Sequence, residues 1–265
     1  MRGLQWARRP MLEAVDWYYS MRPQSLPSEQ SLEQCKIVSH RGEHDNRGVL
    51  ENTFKAYDPL VEHQVWGLEC DVRWTKDLVP VVLHDADLLR LFGKRLRLSD
   101  LNAVQLRKEC PEIPFLEALI QRYGAKIHLM VELKDEHYPR PDYQREVLMG
   151  LFAGLQAKRD YHFISLQPEL FKYVDFVASD ALLLVAEDNV AEMSRYALEY
   201  GLGGVTGHFL LLNQIVHGLH LQQGQCLGTG FIKSKRCLFR ELNRNVEWLF
   251  SNHALKLQKI IGQLR

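Results

Sequence analysis

The sequence predicts a single α/β barrel, and three observations carry that prediction. Strand-like and helix-like segments alternate from Ile37 onward, the order that gives parallel strands covered by helices. The chain has 265 residues with no break in composition, which is long for one ordinary domain but natural for a closed barrel of about 250 residues. Hydrophobic residues make up 46% of it, enough for a large core.

Taken in order, residues 1–34 read as an N-terminal helical and loop extension, ahead of a barrel over residues 35–265. Within the extension MLEAVDWYYSM is a helix candidate, and RPQSLPSEQS, with two prolines, a loop. The strand candidates are KIVSH, WGLECDV, PVVLHD, IHLMVELK, HFISL, ALLLVAE, GGVTGHF, QCLGTGF and VEWLFS. Short β-branched apolar runs of this kind read as buried strands. Helix candidates include ENTFKAYDPLVEHQ, IPFLEALIQRYG, PDYQREVLMGLFAGLQAK, NVAEMSRYALEYG and ALKLQKIIGQ. That is nine strands for a barrel of eight, so one is misread or lies outside the ring.

The alternation fails once. Only RWTKDLVP separates GLECDV from VVLHD, and a parallel crossover needs a dozen or more residues. The segment is therefore expected to reverse tightly. A turn centred on Lys76 and Asp77 would put Glu69 opposite His84 and Asp71 opposite Val82. Strand residues alternate in direction, so Glu69 and Asp71 share one face while Cys70 points to the other.

The bulk chemistry excludes several classes. Thirty-three basic residues balance 33 acidic ones, which gives no electrostatic reason to expect nucleic acid as a partner. Five cysteines, an odd count with no CxxC pair, fit a reducing compartment and argue against a disulfide framework or zinc-thiolate site. The first residues make a poor secretion signal, and no segment approaches the roughly 20 apolar residues that span a bilayer. The expectation is a cytoplasmic protein with no transmembrane segment.

Charged residues close four successive apolar runs: His40 and Arg41, Glu69 and Asp71, His84 and Asp85, Glu132 and Lys134. Carboxylates on one strand face repel each other unless a cation or proton lies between them. Glu69, Asp71 and Glu132 together offer all-oxygen ligation, which favours Mg²⁺ or Ca²⁺ over zinc. His40 and His84 are proton shuttles near neutral pH. Arg41 and Lys134 are suited to an anionic phosphate group. Asn52 and Thr53 are good helix caps, and Glu51 is placed to hydrogen-bond Arg41 and fix its direction. Such a set is what metal-assisted attack on a phosphodiester needs. Of the other histidines, His208, near a late strand end, is the best further candidate.

Five motifs, His40-Arg41-Gly42, Glu51-Asn52-Thr53, Glu69 with Asp71, His84-Asp85 and Glu132 with Lys134, occur in the order and at the separations of the glycerophosphodiester phosphodiesterase family. The chain resembles that family from about Ile37 onward, strongly to Lys134 and thinly after it. The resemblance implies a TIM-type (β/α)8 barrel with a short insertion after His84-Asp85. It also implies a divalent cation on Glu69, Asp71 and Glu132, catalytic histidines at His40 and His84, and phosphate contacts from Arg41 and Lys134. Glu51, Asn52 and Asp85 would orient these groups. The implied partner is a small glycerophosphodiester, cleaved to glycerol 3-phosphate and an alcohol. Two rival readings are action on a membrane lysolipid, suggested by LLRLFGKRLRL, and a non-catalytic binding barrel. Departures from the family pattern are Leu50 in place of a proline, the shortness of the insertion, GTGFIKS where an aromatic is common (with Phe231 as its candidate substitute), and Asn252 in place of an acidic residue.

Overall fold

A computed structural model describes residues 17–208 and 212–265. Of the expected helix over 11–21, residues 17–21 are helical and 11–16 lie outside the described residues. The expected loop over 22–31 is shorter than read. A helix at Glu29–Gln34 takes over its end, started by Ser28, whose hydroxyl accepts from Ser31 N at 3.1 Å.

Eight parallel strands close a ring: β1 (Lys36–His40), β2 (Gly67–Trp74), β4 (His128–Leu133), β5 (Tyr161–Ser165), β6 (Leu182–Ala186), β7 (Gly204–His208), β8 (Cys226–Gly230) and β9 (Trp248–Ser251). Closure comes from β1, which pairs with both β2 and β9. The surplus strand is β3 (Pro80–Val82), which runs antiparallel to β2 and lies outside the ring.

The hairpin register differs from expectation by one residue. Val72, not Asp71, stands opposite Val82, and Leu83 N donates to Asp71 O at 2.9 Å. The cause is the connection. Lys76, Asp77 and Leu78 make a three-residue loop, closed by Thr75 N donating to Val79 O at 3.1 Å, with Leu78 at φ +63°. A loop one residue longer than a two-residue turn shifts every cross-strand pair. His84 therefore arrives from the segment after β3 rather than as a cross-strand partner of Glu69.

The period of two sorts the strands. Leu68, Cys70 and Val72 of β2, like Leu129, Val131 and Leu133 of β4, face the helices and join the main core. Val38, Met130, Ile164, Leu183, Trp248 and Phe250 form a separate apolar cluster. These are the inward positions of a barrel filled in layers. The next inward positions toward the strand C-termini are His40, Asp71, Glu132 and Asn252.

Covering helices include Phe54–Glu62, Leu116–Tyr123, Pro141–Phe152, Val190–Glu199 and Ala254–Gly262. Two more, Gln214–Gln222 and Lys235–Asn243, are absent from the sequence expectation. The first exposes Ile215 and Leu219 while burying His217 and His220, which inverts the usual apolar signal. Between β5 and β6 the crossover is a 3₁₀ segment, Pro168–Val174.

The insertion after β3 has its own small core of Val81, Leu83, Leu88, Leu98, Leu101, Leu106, Cys110 and Ile113. Leu91, Phe92 and Leu96 pack against it. Leu88 and Leu98 of LLRLFGKRLRL are thus internal, Leu91, Phe92 and Leu96 are partly buried against that core, and Leu89 is half-exposed.

Candidate active site

His40 ends β1, and the chain turns at once. Arg41 and Gly42 both take positive φ, 59° and 86°. Glycine is needed at 42, because a Cβ there would lie 2.6 Å from Ala56 Cβ in the helix Phe54–Glu62. The tight approach brings Glu51 and Asn52, which precede that helix, against Arg41 and β2. Asn52 Nδ2 donates to Asp71 Oδ2 at 2.7 Å, and Tyr57 OH holds Asn52 by donating to its Oδ1 at 2.7 Å. Thr53 occupies the N-cap position, but its hydroxyl donates to Leu50 O instead of capping.

The β2–β4 register sets Asp71 beside Glu132, and Glu69 lies two residues before Asp71 on the same face. One carboxylate oxygen from each of Glu69, Asp71 and Glu132 lies within 4.8 Å of the others, and all three residues are buried. Two cations sit among them. Arg41 Nε is 3.1 Å from Asp71 Oδ2, and Arg41 Nη1 donates to Glu51 Oε1 at 3.2 Å. Lys134 Nζ donates to Glu132 Oε1 at 2.6 Å and lies 3.2 Å from Asp71 Oδ1.

The three acids do not share charge equally. Burial alone would raise Asp71, but Arg41 and Lys134 outweigh it and hold its carboxyl below the usual range. Burial pushes Glu69 well up, and the charges of Asp71 and Glu132 add to that. Glu132 is raised by burial and by Asp71. Glu69 Oε1 is buried and has no hydrogen-bond partner among the described residues. Two raised carboxyls beside an ionised one, all hard oxygen donors, with one oxygen orphaned, make a donor set that fits a divalent cation.

An imidazole stands at each side. His40 Nδ1 is 2.7 Å from Asn252 Oδ1. An amide oxygen can only accept, so the proton is on Nδ1 and the Nε2 lone pair is free. Nε2 lies 3.9 Å from Glu69 Oε2, and Phe231 packs on the ring at 4.5 Å between centroids. Burial, then Arg41, lowers His40 to about 3. His84 Nδ1 donates to Asp85 Oδ1 at 2.7 Å. Asp85 Oδ2 in turn accepts from Arg90 Nε at 2.6 Å.

These groups open onto one cavity of about 360 Å³. His40, Arg41, Glu69, His84, Glu132 and Lys134 line its polar side. Ile164, Leu166, Val185, Phe231 and Phe250 line an apolar side, with Glu187 and His208 also on the wall. Asp71 is fully buried and does not line the cavity. The structure thus brings together His40, Arg41, Glu51, Asn52, Glu69, Asp71, His84, Asp85, Glu132 and Lys134.

Sequence reasoning missed two roles. Arg90 was read only as part of a Leu/Arg-rich segment, yet it bonds both Glu51 and Asp85. Asn252 stood out only as a departure from the family pattern. Its contact was available from alternation, since Trp248, Phe250 and Asn252 share a face and Ser251 pairs with Ser39, next to His40.

Fold and site together define a (β/α)8 barrel with an acidic, histidine-flanked cavity at the C-terminal ends of its strands, where enzymes of this architecture keep their active sites. The profile of the Glycerophosphoryl diester phosphodiesterase family matches residues 40–234, and the chain belongs to that family. YhdW of Bacillus subtilis is 33% identical over 130 residues, 44% of this chain and 52% of that protein. Glycerophosphodiester phosphodiesterase 1 of Bos taurus is 28% identical over 152 residues, 49% of this chain and 44% of that one. The chain therefore spans about half the length of these relatives. A phosphodiesterase of Oleispira antarctica, solved in complex with the product sn-glycerol-3-phosphate, superposes with a TM-score of 0.71 at 18% identity, over 86% of this chain and 96% of that one. Among the described residues, no helix is long and apolar enough to cross a membrane.

Proposed function

We propose that this chain hydrolyses glycerophosphodiesters to sn-glycerol 3-phosphate and an alcohol. Glu69, Asp71 and Glu132 would hold Mg²⁺ or Ca²⁺. The observation that carries the reading is the single cavity lined by both histidines, both cations and two of the three clustered carboxylates. A bound divalent cation supplies Lewis-acid polarisation of a phosphate oxygen and offsets developing charge. Arg41 and Lys134 face the cavity and orient the anionic diester against the acidic floor. His40, with Nδ1–H tied to Asn252, turns its Nε2 lone pair to the proton of the attacking oxygen. His84, in its imidazolium form with Nδ1–H held by Asp85, gives its Nε2 proton to the leaving alcohol and is left neutral. The Asp85 carboxylate offsets the positive charge of the form that donates.

The lysolipid alternative drew on LLRLFGKRLRL. Leu88 of that segment lies in the insertion core, with Leu91, Phe92 and Leu96 packed against it, which favours the soluble diester. An odd count of five cysteines with no CxxC pair suits a reducing compartment such as the cytoplasm. Residues 35–265 are taken as the catalytic unit and 1–34 as its appended segment.

The test is incubation of the purified protein with glycerophosphocholine and glycerophosphoethanolamine, with and without Mg²⁺ or Ca²⁺, following glycerol 3-phosphate. Release is expected to require the cation, and His40→Ala and His84→Ala are each expected to lower kcat by about 10²- to 10⁴-fold. No release under any cation, or full turnover in both variants, overturns the reading. Faster cleavage of a lysophospholipid in the same assay moves the substrate to the membrane.

A further inference from the structure

Arg90 lies outside the five motifs, at the end of the VRWTKDLVPVVLHDADLLR text that also resembles the family, on the short helix Leu89–Phe92 of the insertion. We propose that it is a positioning residue that locks the two catalytic arms of the cavity to each other. The inference rests on the hydrolytic reading above. Its guanidinium reaches two acids from different parts of the chain. Nη1 donates to Glu51 Oε2 at 3.1 Å and Nη2 to Glu51 Oε1 at 2.6 Å, a two-point clamp. Nε donates to Asp85 Oδ2 at 2.6 Å.

Each acid passes the constraint inward. Glu51 Oε1 also accepts from Arg41 Nη1, the guanidinium assigned to the phosphate. Asp85 Oδ1 accepts from His84 Nδ1, the imidazole assigned to the leaving group. The chain of contacts runs Arg41–Glu51–Arg90–Asp85–His84. One side chain thereby fixes both the phosphate anchor and one of the two proton carriers.

Anchoring of the insertion is supplied by other groups. The insertion has its own apolar core, an antiparallel backbone bridge between Asp87 and Arg97, and the Lys94–Glu109 pair. It is tied to the β2–β3 hairpin by Lys76 N donating to Leu101 O and Ala103 N donating to Asp77 Oδ1, both at 2.9 Å. The hydrogen bonds of the Arg90 side chain go to Glu51 and Asp85. Charge counting points the same way. Glu51, Glu69, Asp71, Asp85 and Glu132 are opposed by Arg41, Lys134 and Arg90. Glu51 is buried, and without Arg90 its carboxylate keeps only Arg41 and Asn46 as side-chain hydrogen-bond partners among the described residues.

The experiment uses the full chain with Arg90→Gln and Arg90→Lys beside the wild type. Steady-state kinetics on glycerophosphocholine are read together with cation-induced thermal shifts and ¹⁵N spectra of the histidine rings. Arg90→Gln is expected to lower kcat about 10- to 100-fold, the scale of a small misplacement in a reacting group. The cation-induced thermal shift stays as in the wild type, while His84 loses its single Nδ1–H tautomer. Arg90→Lys, which keeps charge but cannot clamp both acids, falls between. Asp85→Asn with Arg90→Gln is expected to cost no more than the larger single change. Unchanged kcat with a fixed His84 tautomer in Arg90→Gln overturns the proposal, and so does full activity in Arg90→Lys if the glutamine variant does not fold. If wild type releases no glycerol 3-phosphate, the hydrolytic reading fails, and the tautomer measurement alone decides whether Arg90 positions His84.

Discussion

The two ends of the barrel interior use similar side chains to opposite effect. At the N-terminal end, His128 Nδ1 bonds Arg159 O at 3.0 Å and His128 Nε2 bonds His162 Nδ1 at 2.8 Å. Trp66 stacks on His128 at 4.3 Å, Trp248 meets His162 edge-on at 5.0 Å, and Lys36 pairs with Glu247. The titratable groups there pair with one another or with a carbonyl under aromatic cover, so the end is a plug. At the C-terminal end, Glu69 keeps an orphaned oxygen, Asp71 is held by cations, and His40 keeps a bare Nε2. The lesson is that the titratable groups inside this barrel mark the site by what they leave unmet. Burial by itself separates neither end from the other.

The sharpest way to break this contrast is Asp71→Ala. Arg41 and Lys134 lose the acid between them, and breaking a buried pair costs about 3–5 kcal/mol. Turnover is expected to fall about 10³-fold or more at a temperature where the variant is folded, since the charge-stabilising set is broken. Normal glycerol 3-phosphate release in Asp71→Ala would remove the C-terminal end from the chemistry.

A smaller effect belongs to the plug. Burial lowers His128 to about 4 from the ordinary 6.5, and burial together with the His128 charge lowers His162 to about 3. Below pH 6.5 the unfolded chain takes protons that the folded one refuses. Stability is therefore full above pH 6.5 and falls as pH drops toward 4, by about 2 kcal/mol for each such histidine at pH 5. Denaturant melts of His128→Phe should show a shallower slope over this window with turnover at pH 7 unchanged. An identical slope would mean that the pair is not held neutral.

The smallest effect should have the opposite sign. In cation-free protein Glu69→Gln removes a buried like charge, so stability is expected to rise by about 1 kcal/mol. The same substitution should abolish the thermal shift produced by Mg²⁺ or Ca²⁺. A destabilised variant that still responds to the cation would show that Glu69 serves packing alone.

Much of this was legible in the chain. Strict alternation on β2 gave the shared face of Glu69 and Asp71, charge at the ends of apolar runs pointed to Glu132 as a third acid, and its place beside Asp71 is set by the β2–β4 register. The hairpin register was not legible, because a period of two fixes which residues share a face but leaves open whether Lys76–Leu78 turns on two residues or three. Arg90 was hidden for a different reason. Its partners lie at separations of 39 and five residues, and only the fold of the insertion brings Glu51 and Asp85 together. His128 and His162 look no different from His40 and His84 by type, since satisfaction is a tertiary property.

Pro80–Val82 hangs on β2 and takes no part in the circular ladder. Residues 93–110, which follow it, pair with no ring strand. The imidazole of His84 and the clamp at Arg90 thus ride on an appendage, while the acidic floor belongs to the ring. Grafting a different segment between Gly93 and Cys110, with His84, Asp85 and Arg90 kept, is therefore a route to altering which alcohols the mouth admits, with the floor left as it stands.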